Sequence, residues 1–277
     1  LDKKKTALHA PRRAVQLLSA LGQNPRLSAL LSGKIYQRPL KRFCVPGLNC
    51  YSCPAAVGAC PLGALQAVNG SKKRFSFYLV GFLLLTGLLL GRFVCGWLCL
   101  FGLVQELLYA LPTKKLTVGE RLDRPLRKLK YLLLALFVFL LPLLTGSPWF
   151  CKYVCPAGTL EGALPLLAAD EALRSLGSWL LGWKLLVLGT VLLSSVFIYR
   201  PFCKYLCPLG AFYGLVQRFG LPGVKTDGEK CIDCGNCVSG CPMGVDIRKT
   251  PDSAECIRCG KCRDACPTGA IRMGRRG

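Results

Sequence analysis

Two runs near the C-terminus carry the most specific chemistry in the chain. Cys231-Ile232-Asp233-Cys234-Gly235-Asn236-Cys237 continues to Cys241-Pro242, and Cys256-Ile257-Arg258-Cys259-Gly260-Lys261-Cys262 continues to Cys266-Pro267. Both read C-x2-C-x2-C-x3-C-P. In such runs three closely spaced thiolates wrap one 4Fe-4S cluster and the fourth reaches its neighbour. The spacing therefore predicts one cluster on Cys231, Cys234, Cys237 and Cys266, and a second on Cys256, Cys259, Cys262 and Cys241. A four-cysteine zinc ribbon is the rival, and two complete runs in tandem speak against it.

Three further pairs share a Cys-x3-Cys spacing: Cys95/Cys99, Cys151/Cys155 and Cys203/Cys207. Thiolates four residues apart fall on one face of a helical turn. Each pair can supply half of a four-thiolate site, so two pairs from different helix ends complete one. Buried cysteine is also a common apolar filler, but three copies at three helix ends argue against filler. Disulfides are the other rival. A last group, Cys44-x5-Cys50-x2-Cys53-x6-Cys60-Pro61, has enough sulfurs for a cluster of its own, and Cys60-Pro61 echoes the C-P ends of the C-terminal runs. Its spacing matches no standard motif, and disulfides are the alternative.

These turns need elements to position them. Residues 75–91, 131–146 and 179–199 are clean apolar stretches, set against the roughly 20 apolar residues of a spanning helix. Each is followed by one of the Cys-x3-Cys pairs, so one unit, helix plus two-cysteine turn, is used three times. Residues 14–35 are amphipathic to apolar but are interrupted at Gln23-Asn24-Pro25-Arg26. Residues 113–130 read as a basic loop. The expected division is 1–74, a basic segment with a first span and the four-cysteine region; 75–224, membrane helices with three cysteine turns; and 225–277, a polar, cysteine-rich ferredoxin domain.

Composition agrees and excludes other classes. The chain has 277 residues, 18 of them cysteine and only one, His9, histidine. Bis-histidine haem, hydrolytic zinc sites and His-dependent triads are therefore excluded or rest on His9 alone. The hydrophobic share is 52%, mean hydropathy is +0.40 and net charge is +23. That mix describes an inner-membrane protein with basic cytoplasmic segments, and its long apolar runs argue against a nucleic-acid binder. No nucleotide motif is present. The N-terminal residues lack a small-residue cleavage site, so no cleavable signal peptide is expected. Gly87 and Gly91 form a G-x3-G packing surface. Trp179, Trp183 and Lys184 suit interface anchors. Glu106 could serve a quinone or proton path, or face water on an interfacial helix, and the second is the plainer reading.

On the Cys-x3-Cys-Pro motifs at 151–156 and 203–208, the related 95–99 pair and the two-cluster C-terminus, the chain resembles the NapH/NosR-type membrane polyferredoxins over about residues 12 to 270. The resemblance implies an α-helical membrane bundle of about four spans, with residues 14–35 as the first. It implies cytoplasmic termini and a C-terminal α+β ferredoxin domain in the cytoplasm. It implies that Cys95, Cys99, Cys203 and Cys207 meet there to share one cluster, while Cys44, Cys50, Cys53, Cys60, Cys151 and Cys155 meet at the outer face. Cys99 is followed by Leu100 rather than proline, and those six cysteines are extras.

Charge favours a different topology. Residues 113–130 and 199–277 are net basic and 147–179 net acidic, which places the first two inside and the last outside. Lys41, Arg42, Lys72, Lys73 and Arg74 then favour keeping the whole N-terminal segment inside. That reading pairs Cys95/Cys99 with Cys151/Cys155, and Cys203/Cys207 with the N-terminal group. The near-identity of the first and third repeats favours the family topology.

Either arrangement implies two 4Fe-4S clusters in the C-terminal domain and one to two more at the membrane cysteines. The function expected is an electron-transfer subunit linking a cytoplasmic or quinol donor to an extracytoplasmic flavoprotein or reductase. Expected partners are redox proteins (a ferredoxin, a flavoprotein or a reductase subunit) and membrane lipid, with quinone as a further candidate and no nucleic acid. The alternative function is an accessory factor that matures or reductively activates another metalloenzyme.

Overall fold

The computed structural model describes residues 9–71, 76–175 and 179–275. Lys72, Lys73 and Arg74, which weighed in the charge argument, lie outside the described residues.

Helix α1, His9–Gln23, stops where Asn24 and Pro25 break it, and only a short turn of helix, Ala29–Ser32, follows. The stretch 14–35 is therefore not the single spanning helix expected of it. Proline cannot continue a helical hydrogen-bond ladder, and its ring disfavours helical backbone in the residue before it. Helices α2 (Pro61–Ser71), α3 (Phe77–Leu89) and α4 (Leu100–Tyr109) come next. Helix α5 runs Glu120–Thr145, and α6 runs Trp179–Phe197. Helix α7, Pro208–Val216, leads to strand β1, Pro222–Thr226, which pairs antiparallel with β2, Ile271–Arg275.

Two described helices, α5 and α6, are long and apolar enough to cross a membrane, each with a mean hydropathy of 1.9 over its best window. Helix α3 has the composition but only 13 residues. All three expose large apolar side chains, among them Leu85, Leu143, Leu144, Leu186 and Leu193. Such a surface suits lipid rather than water. Helix α5 begins eleven residues earlier than its apolar stretch, so most of the expected basic loop is helical. Glu120 and Asp123 occupy its first turn, where acidic side chains favour the helix dipole. Midway it widens to π geometry over Leu134–Leu140. There Asn69 of α2 donates to the Val138 carbonyl at 3.2 Å.

One charge of the basic N-terminal segment is taken out of water. Lys41 is buried and donates to the Ala56 carbonyl at 2.7 Å.

The C-terminal domain packs on the ends of α3 and α5. Leu221 N–H donates to the Leu88 carbonyl, and Arg127 to the Met243 carbonyl. Helix α3 ends at Gly91, whose φ of +55° favours glycine. A Cβ there would also stand 2.8 Å from Gln217. A Cβ on Gly87 would stand 2.9 Å from Val216, so the G-x3-G pair is a packing face against α7 and its continuation.

Candidate iron–sulfur sites

The three Cys-x3-Cys turns share one backbone device. The second cysteine's N–H reaches back five residues: Cys99 to Val94, Cys155 to Phe150 and Cys207 to Phe202, at 3.0, 2.9 and 2.8 Å. That widened turn brings each pair's sulfurs to one side. The second cysteine is extended and starts the next helix. In two of the three, that cysteine's sulfur caps the helix: Gly158 N–H donates to Cys155 Sγ and Gly210 N–H to Cys207 Sγ, both at 3.3 Å. A helix N-terminus favours a thiolate. Cys99 is the N-cap residue of α4, and Cys60 directly precedes α2 with the same C-x-x-G spacing.

The structure brings the membrane cysteines together in two sets. Cys95, Cys99, Cys203 and Cys207 are buried and close enough to act on one another electrostatically. Among the N-terminal four, Cys44 still acts on Cys60 and Cys53 on Cys50. Two of them, Cys50 and Cys60, also join Cys151 and Cys155. A Cβ on Gly158 would stand 3.7 Å from Cys155 Sγ and 3.8 Å from Cys50 Sγ. One on Gly63 would stand 3.7 Å from Cys151 Sγ. Cys53 turns away toward Asn24 Oδ1, and Cys44 is held in a bridge to Ala59.

The first set has internal two-fold character. Arg92 and Arg200, each fully buried, precede Cys95 and Cys203 by three residues. Arg92 donates to the Cys203 carbonyl at 3.0 Å, and Arg200 to the Cys95 carbonyl. Glu255 balances Arg92, and Glu106 balances Arg200 and Arg12. Glu106 therefore neither faces water nor stands free for a proton path. Burial alone would raise its pKa. The two guanidiniums and the Tyr199 hydroxyl outweigh burial and hold it at about 2.

Two glutamines missed in the sequence join the site. Gln105 Nε2 donates to Cys203 Sγ at 3.1 Å while its Oε1 accepts from Phe202 N–H. Gln66 does the same to Cys151 Sγ, at 3.2 Å, and Phe150 N–H. Each stands six residues after a cysteine that directly precedes a helix, a period visible in the sequence as Cys60/Gln66 and Cys99/Gln105. The same position after Cys155 is Glu161, whose Oε2 accepts from Cys50 N–H at 2.8 Å.

In the C-terminal domain, Cys241, Cys256, Cys259 and Cys262 line one cavity, and Cys231, Cys234, Cys237 and Cys266 another. The two loops share a backbone, with left-handed Asp233 and Arg258 and left-handed Gly235 and Gly260. The first of these cavities faces the membrane body. Trp97 Nε1 donates to the Arg258 carbonyl at 3.0 Å, and Gly96 sits directly against the Ile257 carbonyl, where no side chain fits.

The comparisons agree with this geometry. A family model described as a 4Fe-4S dicluster domain matches residues 223–275. A 4Fe-4S binding domain model matches three times, at 75–119, 130–164 and 178–226, one for each helix-plus-turn unit. An uncharacterized protein of Methanocaldococcus jannaschii is 34% identical over 67% of this chain and 72% of its own length. The chain belongs to the NapH-type family of membrane ferredoxins. Other members include YccM of Escherichia coli, 31% identical over 68% of this chain, and the methylamine utilization ferredoxin-type protein MauN of Paracoccus denitrificans, 36% identical over 58%. The chain spans about half the length of these two relatives, 50% of each. No solved structure matches it. Its matched segments are 4Fe-4S binding domains of ferredoxin type.

The residues fit iron–sulfur clusters on structural grounds. All 18 cysteines are free. Burial pushes the Cys99 and Cys50 thiols up to about 11 and raises Cys60, Cys95 and Cys203. Unligated, these sulfurs would stay protonated, so a metal centre is what makes them thiolates. The Asn49 side chain, next to Cys50 in the sequence, is buried with neither polar atom paired, and its Nδ2 is a donor that a cluster sulfide would accept from.

Proposed function

We propose that this chain is a membrane-embedded electron wire with four 4Fe-4S sites, crossing the inner membrane several times with its C-terminal domain in the cytoplasm. The C-terminal sites would rest on Cys231, Cys234, Cys237 and Cys266, and on Cys241, Cys256, Cys259 and Cys262. The membrane sites would rest on Cys95, Cys99, Cys203 and Cys207, and on Cys50, Cys60, Cys151 and Cys155. Each supplies one-electron redox chemistry, and the chain's own residues fix order, burial and charge.

The observation that carries this reading is the Trp97–Arg258 contact. It seats the Cys256–Cys262 loop on the Cys95 turn, which supports an unbroken order of four sites. At the far end of that order Cys234 and Ile232 are exposed, in a segment, 199–277, whose 13 basic residues outnumber its seven acidic ones. That surface suits an acidic redox partner such as a ferredoxin, flavoprotein or reductase subunit. The cytoplasmic placement is supported by net basic charge on 113–130 and on the C-terminal domain.

Anaerobic iron and sulfide quantification with EPR redox titration tests the reading. Four sites give about sixteen irons per chain, whereas about eight would leave the membrane cysteines unloaded and overturn it.

A further inference from the structure

One segment runs between the two membrane cysteine sets, from Cys44 to Cys50. The Tyr213 hydroxyl donates to the Pro46 carbonyl at 2.9 Å. Gly47 lies against the Cys99 backbone, where a Cβ would stand 3.3 Å from Cys99 Cα. Leu48 is buried in the same apolar core as Cys60, Cys95, Cys99, Cys203, Cys207 and Tyr213. The segment then runs directly into Cys50, whose Sγ lies with the second set, so four consecutive residues pass from the Cys99 backbone to a cysteine of the other site.

We propose that Pro46–Asn49 is a strap that couples the two membrane sites, with Tyr213 as the residue that positions it. The inference rests on reading both cysteine sets as 4Fe-4S sites. A chain spans at most about 3.6 Å per residue, so Gly47, seated on the Cys99 backbone, holds that turn within roughly 11 Å of the Cys50 backbone. Only Leu48 and Asn49 separate Gly47 from Cys50 along the chain. One electron lost at one site is gained at the other. No bond breaks, and no further oxidant or reductant is needed.

Tyr213 holds the strap from α7, six residues after Cys207. That is the position where Gln66 and Gln105 follow their own cysteines. It is fully buried, and its hydroxyl also pairs with Thr86. Removing only the hydroxyl frees the Pro46 carbonyl while keeping the ring that fills the core. A methyl on Gly47 pushes the strap off Cys99 from the other side.

The test uses the full chain, purified anaerobically, with iron counted before EPR of the fully reduced protein. Wild type is expected to hold about sixteen irons, and its two membrane signals to be split by their mutual magnetic interaction. Tyr213→Phe and Gly47→Ala are expected to keep the iron and lose the splitting. Tyr213→Phe is also expected to shift the potentials of both membrane sites together. Full iron with no splitting in wild type, or splitting unchanged in both variants, overturns the strap alone. A count near eight overturns the four-site reading and the strap with it.

Discussion

Gln66 and Gln105 make the same two hydrogen bonds to two different cysteine turns. Each spans from the first cysteine's sulfur to the N–H of the preceding phenylalanine. A donor to a ligating sulfur stabilises the more negative, reduced state and so raises the potential. Gln105→Leu is expected to lower the potential of the Cys95/Cys99/Cys203/Cys207 site by about 59 mV, a tenfold change for one electron. Gln66→Leu is expected to do the same at the Cys50/Cys60/Cys151/Cys155 site. Neither should move the C-terminal pair. Redox titration followed by EPR reads all four, and a variant that shifts none or shifts every signal equally refutes the assignment.

The C-terminal motifs were legible because their chemistry is local: consecutive residues wrap one site, and the structure gathers the same eight cysteines the spacing gathers. The membrane sets were harder. Cys95 and Cys203 are 108 positions apart, and nothing in their local spacing says which pair meets which. The likeness of the first and third units points to the pairing that the structure brings together, Cys95/Cys99 with Cys203/Cys207. Charge points to the other pairing, and a count of lysines does not register that Lys41 is buried against carbonyls. The N-terminal four are harder still, because proximity in sequence does not show that Cys50 and Cys60 also join Cys151 and Cys155. The useful signal was Cys60-x2-Gly63-x2-Gln66, a repeat of Cys99-x2-Gly102-x2-Gln105.

That regrouping separates the six extra cysteines into ligands and bystanders. Cys53→Ser and Cys44→Ser are expected to leave the iron content at wild-type level. Cys60→Ser and Cys155→Ser should each lose about four irons per chain. Cys53 is buried, so a modest fall in thermal stability with full iron would still agree. Loss of iron from Cys53→Ser with retention in Cys60→Ser would reverse the grouping.

The seat of the C-terminal domain depends on Glu255. It takes Arg92 at 3.1 Å and Lys130 at 2.5 Å, and both cations are fully buried. Replacing it leaves two buried charges unpaired, a loss of about 3–5 kcal/mol for a broken buried pair. Glu255→Gln is expected to raise hydrogen exchange across 222–275 while α5 and α6 stay protected. Adding Lys130→Met removes one orphan charge and should recover part of that protection. Equal loosening of the helices would mean that Glu255 supports the whole fold rather than the docking of one domain.

Glu106 predicts a pH dependence with a definite sign. It accepts from Arg12 at 2.5 Å, and also pairs with Arg200 and Tyr199. Its folded pKa, about 2, lies below the unfolded value of about 4.3. A depressed acid contributes stability that is fully present above the unfolded pKa and is lost as pH falls through the folded one. The contribution is roughly 3 kcal/mol at neutral pH. The gap in thermal stability between wild type and Glu106→Gln is therefore expected to be flat from pH 6 to pH 9 and to shrink only below about pH 4.5. A gap that closes between pH 6 and pH 8 would mean that Glu106 titrates near neutrality. The ion pair with Arg12 and Arg200 would then not be what holds α1 and α4 together.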